Sequence, residues 1–318
     1  MGSYCGAVHY SKELCWVTDN AIIAQAKEGV NPRFIYYLLQ HLKLNEHRIG
    51  SGQPLLTQGI LKNLETKRIL REVQDAIAQL LGALDDKIAV NDRIAAAWER
   101  ILRLRFAALE IDVETSSVDA ISVSDLVEFN PRRRAPDAGD SVYLEMAALP
   151  TDSARIRSWS RRAPKSGTRF MNGDTVMARI TPCLENGKTA YIDFLEDGEV
   201  GIGSTEFIVM RARDNVPSHL PYFLARSPRF REHAIRNMVG SSGRQRVAAA
   251  SLTDIPLQRP DGKALADFAG YASSTFKYLK SLDAETRTLA ELRDTLLPKL
   301  MSGEVRIRDA EKVVEDAV

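Results

Sequence analysis

Apolar residues recur in steps of three and four along two long stretches of this chain. The first stripe runs through Ile69, Val73, Ile77, Leu80, Leu84, Ile88, Asn91, Ile94, Trp98, Ile101, Arg105 and Leu109. The second runs through Leu265, Phe268, Ala272, Thr275, Leu279, Leu282, Thr286, Leu289, Leu292, Leu296 and Leu300. Such spacing keeps one stripe on one helix face, and a stripe held over about five heptads predicts a coiled-coil seam. At 1.5 Å per residue each helix would span about 55–60 Å, and the two are expected to pack on each other. Asn91 sits in the first seam, where it either fixes the register or is a neutral interruption. Asp261-Gly262 marks the start of the second helix, and Pro298 with Ser302-Gly303 marks its end.

Shorter apolar runs lie elsewhere. Gly173-Asp-Thr-Val-Met-Ala-Arg-Ile-Thr-Pro-Cys-Leu-Glu-Asn-Gly-Lys188 and Gly201-Ile-Gly-Ser-Thr-Glu-Phe-Ile-Val-Met-Arg211 read as two short buried strands joined to polar loops. Gly201-Ile-Gly203 leads into an apolar strand and not into a helix N-terminus, so it reads as a turn and not as a nucleotide site. The chain also repeats itself. Thr18-Asp-Asn-Ala-Ile-Ile-Ala-Gln25 aligns with Ser204-Thr-Glu-Phe-Ile-Val-Met-Arg211, and Phe34-Ile-Tyr-Tyr-Leu-Leu39 with Leu220-Pro-Tyr-Phe-Leu-Ala225. Ile49-Gly-Ser-Gly52 aligns with Gly240-Ser-Ser-Gly243. An offset of about 190 residues is far longer than a solenoid period, so each copy is a domain followed by a helix. The predicted class is α+β, with globular mixed α/β domains and two long helices in an antiparallel coiled coil. The segments are a partial first domain at 1–68, a helix at 69–110, a complete second domain at 112–260, a helix at 261–303 and a frayed charged tail at 304–318.

Composition changes the picture in one respect. The net charge of +1 over 318 residues hides an uneven distribution. Asn130 to Arg169 holds nine Arg or Lys against four Asp or Glu, and Arg211 to Arg246 holds eight against two. The surplus is nearly all Arg, whose planar guanidinium suits phosphate recognition, although a solvated basic surface would read the same way. The three cysteines, Cys5, Cys15 and Cys183, have no paired metal spacing, and with no signal peptide the expectation is a reduced cytoplasmic setting. No apolar stretch approaches the roughly twenty residues needed to cross a bilayer.

The two polar-loop runs resemble the target recognition domain of type I restriction-modification specificity subunits. Leu126-Val-Glu-Phe-Asn-Pro-Arg-Arg-Arg134, Met146-Ala-Ala-Leu-Pro150, Gly240-Ser-Ser-Gly-Arg-Gln-Arg-Val247 and Leu296-Leu-Pro-Lys-Leu-Met-Ser-Gly-Glu-Val305 extend the resemblance over nearly the whole chain. It implies a noncatalytic subunit with two recognition domains, each reading half of a split double-stranded DNA target. Helices hold the two apart, methyltransferase subunits clamp those helices, and a restriction-motor subunit joins for cleavage. S-adenosylmethionine, ATP and Mg²⁺ would belong to the partners and none to this chain. The first copy lacks the counterpart of Asn130 to Arg179, which would leave strand edges unpaired. A natural short form, a broken gene and a late start codon all account for that, and self-association is a further expectation. The alternative is a truncated assembly or decoy subunit that binds methyltransferase through its helices without productive DNA reading.

Catalytic chemistry finds weak support. Asn31-Pro-Arg-Phe34 lacks the second proline of an adenine methyltransferase loop and reads as structural. Asp174, Glu185 and Lys188 are poorly spaced for a metal-dependent nuclease, and the five histidines form no zinc pattern. Recognition chemistry remains. Arg179 can pair with guanine, Asn186 with adenine, and Glu185 can accept from cytosine, while Lys188 suits a phosphate. Thr181, Glu185 and Asn186 could equally bond to one another and brace the loop. Ser204, Thr205 and Glu206 either brace that site or touch DNA. Ser242, Arg244, Gln245 and Arg246 suit a loop lying on backbone or in a groove, and Arg132, Arg133 and Arg134 complete the candidate DNA-binding set.

Overall fold

The computed structural model describes residues 4–317 apart from 51, 53, 116–118, 135, 137–138, 164–165 and 242. In chain order the first elements are α1 (Pro32–His41), α2 (Gln58–Lys62) and the long α3 (Arg71–Ala107). Then come β1 (Ile121–Ser122), α4 (Val123–Leu126), β2 (Val127–Phe129), β3 (Ser141–Leu144), β4 (Ser160–Arg162) and β5 (Thr168–Phe170). β6 (Asp174–Ala178), β7 (Thr189–Tyr191), β8 (Gly201–Gly203), β9 (Phe207–Ala212), α5 (Leu220–Arg226), α6 (Pro228–Arg236) and β10 (Pro256–Leu257) follow. The chain closes with α7 (Gly262–Ser302) and α8 (Ile307–Ala317). The class is α+β, as the periodicities predict.

Two compact units divide the chain, one formed by Met1–Arg93 with Ser281–Val318, the other by Ile94–Lys280. The first is helical. Ile77, Leu81 and Leu84 of α3 bury against Leu289, Leu296 and Leu300 of α7, with Phe34 and Tyr37 of α1 in the same core. Asp85 pairs with Arg293 at 2.8 Å, and farther along α3 Asn91 reaches back to Glu285, so the helices run antiparallel. Asn31 is the N-cap of α1, its side chain accepting from the Arg33 and Phe34 amides. That is the structural part the sequence assigns to it. Residues 4–31 contain no strand, although Thr18 to Gln25 aligns with the loop and strand Ser204 to Arg211.

The charged tail is ordered as α8 from Ile307, where fraying was expected. Its i, i+3, i+7 apolar positions Ile307, Ala310 and Val314 lie against the helical core, and Ala310 is fully buried. Amphipathic spacing outweighs the high charge. Pro298, expected to help end α7, lies inside it, and Gly303 at φ 79° is the stop.

The second unit carries the sheets. One four-stranded sheet has the order β2-β9-β6-β7, another β4-β3-β8-β5. The two strands anticipated in 173–211 are β6 and β9, antiparallel neighbours with Asp174 opposite Arg211 and Ala178 opposite Phe207. Buried side chains of both sheets, including Val142, Leu144, Phe170, Val176, Ile192 and Val209, form one core. The other faces the helices, where Phe223 of α5 packs on Phe106 of α3 and Phe268 of α7. Here too the long helices run antiparallel, since Trp98 meets Tyr278 while Phe106 meets Phe268.

Gly201-Ile-Gly203 is β8, a buried interior strand, and not a turn. A Cβ on Gly201 would lie 2.3 Å from the Phe170 ring, and one on Gly203 would lie 2.5 Å from the Phe207 ring. Glycine is there because aromatic rings cover the backbone.

Candidate nucleic-acid interface

β6 delivers the chain to Arg179, whose amide donates to the Glu206 carbonyl at 2.9 Å just before β9 begins. Thr181-Pro182 is a cis peptide. A compact turn follows, held by the Leu184 amide on the Ile180 carbonyl, Asn186 on Pro182 and Lys188 on Cys183, at 2.9, 2.9 and 3.0 Å. Gly187 closes it at φ 74°. Two arginines from the helices brace this turn: Arg231 donates to the Glu185 carbonyl at 3.0 Å and Arg226 to the Gly187 carbonyl at 3.3 Å. The sequence did not single them out, because a guanidinium that serves a carbonyl about forty residues away follows no local period.

A second loop joins the first. Val239 and Arg246 exchange reciprocal backbone hydrogen bonds of 2.9 Å, closing a loop over residues 240–245. The loop is stitched to the end of β6, with the Thr181 amide on the Gln245 carbonyl at 3.0 Å and the Val247 amide on the Arg179 carbonyl at 2.9 Å. The Gln245 amide adds a bond to Thr181 Oγ1 at 3.1 Å. Gly240, at φ 134°, could carry a Cβ only 3.0 Å from the Arg244 carbonyl oxygen. Segments some sixty residues apart thereby form one platform that places Arg179, Thr181, Ser204, Thr205, Gln245 and Arg246 together, with Arg244 at its rim.

Within the platform the side chains divide. Thr205, Glu185, Asn186 and Arg244 are exposed. Thr181 is used as a brace for the second loop, and Ser204 Oγ accepts from the Glu206 amide at 3.1 Å. Lys188 donates to the Met146 carbonyl at 2.8 Å, and Glu185 and Asn186 make no side-chain bond to Thr181 among the described contacts. Arg246 clasps Glu206 with Nε at 2.9 Å from both carboxylate oxygens and Nη2 at 2.6 Å. That hydrogen bond holds the Glu206 carboxyl below the usual range, with the Arg246 and Arg179 charges acting in the same direction. Nε of Arg179 is buried with no hydrogen-bond partner.

The Arg132–Arg134 run is placed differently. Arg133 is tied to the fully buried Asp174 at 2.9 Å, and Arg211 joins at 2.7 Å. Asp174 lies about 16 Å along β6 from Arg179 at the usual rise per residue, so Arg133 is in a buried ion cluster at the far end of the sheet. The same geometry keeps Asp174 away from Glu185 and Lys188. Arg132 and Arg134 are exposed beside it. Ser242 lies outside the described residues.

Glu99 of α3 anchors the platform from behind. It is 2% exposed and accepts from the Ala154 amide with both oxygens at 3.1 Å, with Tyr222 Oη at 3.3 Å and Arg103 at 3.4 Å. Burial raises its carboxyl despite those bonds. The Pro150 and Ala154 carbonyls in turn accept from the Thr189 and Tyr191 amides of β7, which links the helix to the strand that follows the 180–188 turn.

The family model described as the type I restriction modification DNA specificity domain matches residues 1–100. That match covers the first copy and most of α3, away from the loops that carry the sequence resemblance. The type I restriction enzyme EcoEI specificity subunit of Escherichia coli is 27% identical over 206 residues, 62% of this chain and 34% of that protein. The EcoAI specificity subunit of the same organism is 31% identical over 144 residues, 42% of this chain and 24% of that protein. The chain thus aligns over about a third or less of the curated relatives' length. Among solved structures, a type I restriction-modification S subunit from M. genitalium aligns with 86% of this chain and 73% of its own, at 15% identity and a TM-score of 0.48. The HsdS subunit from Thermoanaerobacter tengcongensis aligns with 87% and 71%, at 11% identity and a TM-score of 0.38. The chain is thus similar to the type I restriction modification DNA specificity domain over its first hundred residues, and to type I restriction enzyme specificity subunits over about a third or less of their length.

Proposed function

We propose that this chain is a noncatalytic subunit that reads double-stranded DNA through the platform of Arg179 to Lys188, Ser204 to Glu206 and Ser241 to Arg246. The observation that supports this reading is the stitching of the 240–245 loop to the end of β6, an interior strand, which concentrates cationic and amide side chains at one end of the sheet. Rigid backing is what base discrimination needs, since each well-placed bidentate contact is worth about 1–3 kcal/mol. The antiparallel helices serve as spacer and as docking rail for type I methyltransferase subunits, which would carry S-adenosylmethionine. A restriction-motor subunit would bring ATP and Mg²⁺.

Duplex affinity measured against salt on the assembled complex tests this. The expected result is a steep negative slope that flattens in Arg179→Ala and Arg244→Ala chains by about one phosphate contact each. A flat wild-type line would sink it. Mapping methylated adenines in cells carrying the gene reports whether one half-site, a bipartite site or none is read. Complex formation that survives both substitutions with unchanged DNA binding would favour the decoy reading.

A further inference from the structure

Arg246 stands out within the platform because its charge is already committed. Its fork lies against both Glu206 oxygens, and its remaining Nη1 donates to the Arg244 carbonyl at 3.1 Å. Its own amide and carbonyl are fixed on Val239. A guanidinium that chelates a carboxylate cannot offer the same fork to a guanine edge or a phosphate. Arg244, two residues earlier, is exposed, and its side chain makes no hydrogen bond or ion pair among the described residues. Gln245 presents a half-buried amide beside it, with its backbone pinned to Thr181. Glu206 itself is held from two sides, its amide on Ser204 Oγ and its carbonyl on the Arg179 amide.

We infer that Glu206 is a positioning residue that neutralises Arg246 and uses it as a strut under the loop, leaving Arg244 and Gln245 to make the loop's contacts with DNA. This rests on the DNA-reading function proposed above and assigns parts within it. One acidic residue in a basic face then has a purpose: it removes a cation that would bind any phosphate, and it spends that cation on holding the loop in one shape.

The test uses the full chain and a fluorescein-labelled 30-base-pair duplex of arbitrary sequence, titrated over a salt series. Glu206→Gln is expected to release Arg246 as an extra phosphate contact. The log–log salt slope should steepen by about 0.9, so affinity falls roughly 3.5-fold more than wild type between 50 and 200 mM salt. The Glu206→Gln/Arg246→Ala double variant should lose that extra contact, so its slope should fall back from the steepened value by about 0.9. Thermal unfolding of the DNA-free proteins over a Glu206/Arg246 double-mutant cycle reads the strut independently, with a nonadditive shift expected. A slope as steep in the double variant as in Glu206→Gln, or an additive cycle, overturns the inference alone. Weaker binding by Glu206→Gln with no change of slope also overturns it, because Glu206 would then touch the nucleic acid itself. A wild-type chain that binds no duplex overturns the DNA reading and the inference together.

Discussion

His219 illustrates how burial decides a side chain's role. It is 7% exposed, with ring centroids 4.6 Å from Tyr191 and 4.4 Å from Phe276, and burial pushes its imidazole down to about 4. The folded state therefore favours the neutral ring, while the unfolded chain takes up a proton near 6.5. Stability from this group is complete above about pH 6.5 and falls as pH drops toward 4, by about 2 kcal/mol between pH 7 and 5. Urea unfolding at those two pH values should show this loss in wild type and a smaller one in His219→Phe. Gly201 offers a second residue-scale prediction. Gly201→Ala drives a methyl into the Phe170 ring, so the melting temperature should fall by an amount equivalent to about 1–3 kcal/mol, and an unchanged melt would mean that β8 is not closed over by that ring.

At the scale of elements, the heptads located both long helices within a few residues but not the whole buried stripe. In α7 the expected Phe268, Ala272, Leu279, Leu282, Leu289, Leu296 and Leu300 are all buried. In α3 the buried positions after Asn91 are Ala95, Glu99, Leu102 and Phe106, whereas Ile101 is 38% exposed. The expected set is one residue out of phase there. A strict 3.5-residue repeat drifts about 20° per heptad on an α-helix, which over nearly five heptads amounts to almost one residue. Asn91 proves to be engaged across the seam, donating to Glu285 at 2.9 Å while its own Oδ1 is left without a partner. Glu285 keeps Lys87 at 3.1 Å if the amide is lost. Asn91→Leu is therefore expected to raise the melting temperature while permitting other registers. Disulfide trapping between cysteines introduced on the two helices would detect those, and a single trapped register would count against Asn91 as the pin.

For the molecule as a whole, what was legible followed distance along the chain. Strands β6 and β9 and the candidate reading turn could be anticipated because their signals are contiguous. The partners could not: Glu206 with Arg246, Lys188 with Met146 and Arg133 with Asp174 are each about forty residues apart, and nothing in local pattern couples them. Arg133 reads as a surface cation until the sheet carries Asp174 to it. The stretch 8–25 is nearly all exposed and has neither helix nor strand, and Leu14 and Trp16 are 106% and 95% exposed. Limited proteolysis should cut there first, with mass spectrometry locating the nick, and initial cleavage within 240–245 would contradict the stitched platform. The repeat has a counterpart in that loop. Ile49 and Leu55 exchange the same pair of 2.9 Å backbone bonds as Val239 and Arg246, and Gly50 and Gly240 both adopt positive φ. Because reciprocal main-chain bonds make each neck, the closure of the two loops is written in backbone and not in the side chains at their tips, so a tip residue other than a positive-φ glycine can be exchanged without undoing the clasp beneath it.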